Sequence, residues 1–198
     1  MASKIKVDQI QTLDGSGTIA LKNQLSGMTS ASMPTGSVLQ VKQLLLTTPS
    51  SQSLSANTNT VVSGFFLAMT PTSTSSKILV TMHWAGEVSG SPHNLIFGLQ
   101  TLVPFSGTFY PAMPTNIASR RGGLAQTLLS HTSDISSTME SASFSILYSP
   151  NSTESITHNV FANNQVAATL YNQRTVTDGD TTGYERIPST LQLMEIAG

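Results

Sequence analysis

The chain has 198 residues, nine basic and ten acidic side chains, a formal net charge of -1 and no cysteine. Charged residues are 10% of it, against roughly 25% in an ordinary soluble domain, so its polarity rests on serine, threonine and amides. The missing thiols exclude disulfides, zinc–thiolate sites and a cysteine nucleophile, and near-neutrality argues against nucleic acid or an acidic membrane as a partner.

The opening Met1 to Asp8 alternates charged and apolar residues where a signal peptide needs an apolar core, so standard secretory export is not expected. No apolar run approaches the ~20 residues of a bilayer span; Val61 to Met69 is strand-sized. Ile5, Val7 and Ile10, then Ile19 and Leu21, flank Asp14-Gly15-Ser16-Gly17, which predicts two short strands around a turn. A lone hairpin is marginal in water, so these apolar residues are expected to bury against other chains. Residues 23–36 are polar and small, which divides the chain into an extended anchoring segment and linker (1–36) and a main domain (37–198).

From Asp14 to Glu87 there is no intervening acidic residue, and the only charges are Lys22, Lys42 and Lys77. A solvated helix face carries more charge than that, so this stretch predicts strands. Ile78, Val80, Met82 and Trp84 alternate with Leu79, Thr81 and His83, and Ala142, Phe144, Ile146 and Tyr148 repeat the period of two. Trp84, on the inward register, is expected in the core. Further strands are expected at 38–46, 60–69, 94–103, 155–162, 166–171 and 190–196. Turn-formers separate them at Pro49-Ser50-Ser51, Pro71-Thr72-Ser73, Ser89-Gly90-Ser91-Pro92, Ser149-Pro150-Asn151 and Asp178-Gly179-Asp180. The expected fold is all-β, an antiparallel sandwich or jelly roll. Asn151-Ser152-Thr153 has the form of a glycosylation acceptor and reads more simply as a turn.

Chemistry is sparsely marked. His83, His93, His131 and His158 share no metal-ligand spacing, and the two within strands, His83 and His158, are expected to be exposed or hydrogen-bonded. There is no nucleophile elbow, no P-loop and no dinucleotide fingerprint, and no local arrangement singles out a carboxylate pair. Neither enzyme activity nor a cofactor or metal is indicated. Asp178, Asp180, Thr182 and Gly183 partly resemble a calcium loop, but Ser189 stands where the bidentate Glu belongs, which favours a polar hairpin loop. Arg120-Arg121-Gly122-Gly123 is the only adjacent pair of arginines; it could grip the carboxylate or phosphate of an acidic sugar, bridge subunits or stand solvated. Upstream, Pro104 to Pro114 sets Phe105, Phe109 and Tyr110 among prolines, which suits sugar stacking or, more readily, packing over a sandwich edge. The loops 86–93, 104–123 and 172–187 are the recognition candidates. Arg120, Arg121, Tyr110, Phe109 and His93 are the candidate receptor- or glycan-binding residues.

Several segments carry a family resemblance: residues 3–19 (Ser-Lys-Ile-Lys-Val-Asp-Gln-Ile-Gln-Thr-Leu-Asp-Gly-Ser-Gly-Thr-Ile), Gly36 to Val41, Ser75 to Val80, Ser149 to Thr153 and Leu191 to Ile196. Together they resemble tail-fibre and related virion proteins of marine bacteriophages, including cyanophages. The stretch from Glu87 to Leu128 carries none of these motifs. The resemblance implies a non-enzymatic, homotrimeric virion component, assembled in the host cytoplasm. Its N-terminus would face the particle and its β domain would face outward. Ile5, Val7, Ile10, Ile19 and Leu21 would then bury against their copies or against another virion protein. A short tail fibre touching host-surface glycan leads; a capsid decoration or head-fibre protein and, more remotely, a polysaccharide depolymerase are the alternatives. Three copies would raise avidity without new contacts.

Overall fold

The computed structural model describes residues 33–90, 95–104, 106–127 and 136–198. Ile5, Val7, Ile10, Ile19, Leu21, His93, His131 and Phe105 lie outside the described residues. Eleven strands and no helix make up the described chain: β1 (Val38–Leu46), β2 (Ser50–Leu54), β3 (Thr60–Met69), β4 (Lys77–Val88), β5 (Ile96–Val103), β6 (Gly107–Phe109), β7 (Ala125–Gln126), β8 (Glu140–Tyr148), β9 (Ile156–Asn163), β10 (Ala168–Asn172) and β11 (Ser189–Ile196). Among the described residues no helix is long and apolar enough to cross a membrane.

The strands form two antiparallel sheets. The first is built on β4, the longest strand. Its one edge carries β8 from Ile78 to Gly86. Its other edge carries β11 from Lys77 to His83 and then β10 from Gly86 to Val88. Beyond these lie β1, paired with β11, and β2, paired with β10. In the second sheet β9 runs between β3 and β5, and the far edge of β5 is shared by β6 and β7.

The period-two pattern sorts the faces as expected. Ile78, Val80, Met82 and Trp84 of β4 and Leu191 and Leu193 of β11 are fully buried. They meet Phe97 and Leu99 of β5, Val160 and Ala162 of β9, and Val62, Phe65 and Met69 of β3 in one hydrophobic core. Burying each large apolar side chain contributes about 1.5–3 kcal/mol. The Trp84 and Phe97 rings lie 4.7 Å apart, one from each sheet. Trp84 satisfies its indole N–H by donating to Asn172 Oδ1 at 2.8 Å.

Two expectations need correction. Ser50 and Ser51, expected in a turn after Pro49, begin β2 and pair with Tyr171 and Asn172. Two of the expected loops are sheet in part, since β4 continues to Val88 in 86–93 and Gly107–Phe109 of 104–123 forms β6 against β5. Each difference arises because backbone pairing with a neighbour outweighs weak local propensity.

Candidate functional site

Tyr110 and Arg121, at the two ends of the 110–121 segment, both contact the outer face of the second sheet. Phe161 of β9 points to that side and is fully buried, because Tyr110 packs edge-on against it at 5.7 Å. Beneath it lies Gly98, where a Cβ would fall 2.3 Å from Phe161 Cζ, so only glycine admits the ring. Two residues on along the same face of β9, ~7 Å away, is Asn163. Arg121 Nη1 donates to the Asn163 carbonyl at 3.0 Å, and Asn163 Nδ2 donates to Asn59 Oδ1 at 2.8 Å. Asn163 therefore joins the arginine loop to the turn between β2 and β3. That turn is held independently, since the Asn57 N–H donates to the Asn164 carbonyl at 2.8 Å.

These contacts border an open, shallow cleft of about 440 Å³, lined by Asn57, Thr58, Asn59, Met113, Ile117, Ser119, Arg120, Arg121, Gly122 and Asn163. The size is within the range of small-ligand sites. Arg121 is half-buried, and desolvation lowers the pKa of its guanidinium. Arg120 is exposed; its backbone N–H donates to the Ile117 carbonyl at 2.8 Å, which closes the turn carrying it. Ala112, Asn116 and Ala118 all take positive φ (56, 56 and 49°), a conformation that is costly for alanine. Gly122 lies under Met113, whose Cε would be 2.7 Å from an added Cβ. No carboxylate lines this cleft among the described residues.

The candidate residues from the sequence separate here. Arg120 and Arg121 share the cleft. Tyr110 lies against its neighbour Phe161, and its hydroxyl accepts from Gln100 Nε2 at 3.2 Å. Phe109 points elsewhere, edge-on to Tyr148 at 5.9 Å. His93 lies outside the described residues. Asn57, Asn59 and Asn163 were not singled out from the sequence; the Asn-Thr-Asn run after Ala56 and the Asn163-Asn164 pair were the available signals, and asparagine is too common in turns to distinguish them. Comparison with known protein families and with curated proteins returns no match for this chain.

The other polar clusters are structural. Asp178 receives Arg174 Nε at 3.3 Å and Arg186 Nη1 at 2.5 Å, and the bond from Arg186 leads the causes that hold its carboxyl below the usual range. The aspartate that would head a calcium loop is thus held by two guanidiniums. The separate cleft of about 310 Å³ beside it shares no lining residue with the arginine cleft. His83 Nδ1 and Ser143 Oγ share a hydrogen bond at 2.9 Å. Glu195, fully buried, accepts from Gln40 Nε2, the Thr72 N–H and Thr72 Oγ1 at 2.5–2.7 Å.

Proposed function

We propose that this chain is a structural, non-enzymatic component of a virion, a short tail fibre or equivalent appendage. In this reading a homotrimeric β domain meets host-surface glycan through its loops, and residues 1–36 attach it to other virion proteins. The observation that carries the attachment reading is the arginine cleft. It places the chain's adjacent guanidiniums, three asparagines and two hydroxyl residues around one concavity, and it lies on loops supported by a rigid sandwich, where recognition residues concentrate.

The finer fold proposed is a jelly roll. Rolling up an eight-strand antiparallel hairpin pairs its first strand with the eighth, second with seventh, third with sixth and fourth with fifth. With β2 and β10 set aside and β6 and β7 taken as one edge, those pairs correspond to β1·β11, β3·β9, β4·β8 and β5·β6, and each is a registered ladder.

Support for the trimer comes from the outer face of the first sheet. Val41, Met194, Leu79 and Leu147 lie in one cross-strand row through β1, β11, β4 and β8, with Val41 and Leu147 51% and 53% exposed. The next rows are Gln43, Gln192, Thr81 and Ser145, then Leu45, Thr190, His83 and Ser143. No Asp, Glu, Lys or Arg stands in them. An uncharged surface of apolar and amide–hydroxyl rows is complementary to further copies of itself, because nothing on it repels and every polar group can find a like partner. The described chain begins at Met33, just before β1 at the edge of this sheet.

Gold-labelled antibody against the chain on intact particles tests the reading. Label at the tail supports it. Label over the shell assigns the chain to capsid decoration, and unlabelled particles reject a virion role.

A further inference from the structure

We infer that the cleft between the 113–122 loop and the Asn57–Asn59 turn binds a carboxylated saccharide; this rests on the attachment reading and names its ligand class. Charge is the first argument. Of the other described cations, Lys77 stands exposed at the start of β4, Lys42 Nζ donates to the Ala68 carbonyl, and Arg174 and Arg186 hold Asp178. Exposed Arg120 instead lines a concavity with no carboxylate among its described lining residues. The Arg120 guanidinium facing this cleft, on a chain of net charge -1, raises the local potential for an anion above that of the surrounding surface.

The remaining lining selects the kind of anion. The side-chain amides of Asn57 and Asn59 and the hydroxyls of Thr58 and Ser119 offer the mixed donors and acceptors that sugar hydroxyls require, the Asn163 amide being engaged with Arg121 and Asn59. Met113 and Ile117 supply an apolar patch for the C–H face of a pyranose ring. Among the described residues no aromatic ring lines the cleft for a base to stack on, which disfavours a nucleotide. With no helix among the described residues, no helix N-terminus is at hand to help neutralise a doubly charged phosphate. The two arginines have different tasks. Arg121, held on Asn163, maintains the shape of the cleft, and exposed Arg120 carries the planar fork that matches a carboxylate.

The test is titration of the full chain with a short oligouronate, the neutral oligosaccharide of the same length, and its sulfated form. Ligand-observed NMR or calorimetry supplies the readout, alongside adsorption to host cells of particles carrying each variant. The expected result is binding of the oligouronate at least about tenfold tighter than the neutral sugar, weakening with salt. Arg120→Ala should remove that preference at an unchanged melting midpoint, and Arg120→Lys should restore it in part. Equal affinity for charged and neutral sugars, or a preference for the sulfated one, overturns the inference. If no sugar binds yet Arg120→Ala still lowers adsorption, the ligand class is wrong and the attachment reading stands. If adsorption is unchanged as well, both fall.

Discussion

The hydroxyl of Tyr148 and Nε2 of His158 share a hydrogen bond at 2.6 Å across the sandwich, one residue from each sheet. His158 is fully buried. Burial lowers its pKa to about 4, against the opposing pull of the Leu67 and Ile156 backbone; burial also raises that of Tyr148. The pair is therefore neutral at physiological pH and acts as a polar tie inside an apolar interface. It has the character of a structural histidine, not a ligand.

That burial predicts a pH dependence. Unfolded His158 takes a proton below pH 6.5 and the folded one below about 4. Its contribution, about 3 kcal/mol, is present above pH 6.5 and lost as pH falls toward 4. Glu140 has the opposite sign. Burial, then the charge of Glu87, raises it from 4.5 to about 7, so its contribution is complete below pH 4.5 and lost as pH rises through 7. Between pH 4.5 and 6.5 the two slopes oppose, and urea midpoints should be nearly flat there. In Glu140→Gln the opposing slope disappears, and stability should rise with pH by about 1.4 kcal/mol per unit across that window. A variant with a flat profile would show that His158 is not neutralised by burial.

A second prediction concerns the uncharged face. Leu147 is 53% exposed, so Leu147→Arg leaves the core of each chain untouched. It would place a charge within the proposed subunit contact, where like charges oppose one another. Light scattering should give about three chain masses for the native protein and one for the variant, with circular dichroism unchanged. A native monomer at micromolar concentration would overturn the trimer.

The lone tryptophan provides a probe of the core. Asn172 accepts from Trp84 Nε1 and donates through Nδ2 to Ser50 Oγ at 3.2 Å, so one amide ties β4, β10 and β2 together. Asn172→Ala leaves a buried indole N–H unpaired and should cost about 1–3 kcal/mol. Asn172→Asp keeps the acceptor for the indole and removes the donor to Ser50. Urea titrations followed by Trp84 fluorescence measure both, and an unchanged midpoint in the alanine variant would show the bond contributes little.

Crowding at Gly98 leads to the last prediction. Gly98→Ala forces Phe161 and the Tyr110 ring above it to move, with an overpacking cost of about 1–3 kcal/mol. Hydrogen exchange should speed in residues 110–122, because the displaced aromatic pair supports that segment. Adding Phe161→Leu should recover part of the stability by making room, which the double-mutant cycle would record as coupling.

Much of the β architecture was legible in the amino acids themselves. The limits of β1 and β3, the inward register of Trp84, and the acid-poor stretch that disfavours helix all follow from local alternation and composition. Other features had no local signature. Ser50 to Leu54 is Ser-Ser-Gln-Ser-Leu, with one apolar residue, and becomes a strand because β10 offers it a ladder. The arginine pair stood out in the sequence, but its setting did not. Asn59, Arg121 and Asn163 are remote in the chain and meet because β9 carries Asn163 to the end of the second sheet, between two loops. Strand periodicity is a short-range property, set by which side of the backbone each residue faces. Which loops adjoin, and therefore which amides surround which charges, depends on the order of strands in the sheets, and only the assembled tertiary structure decided that.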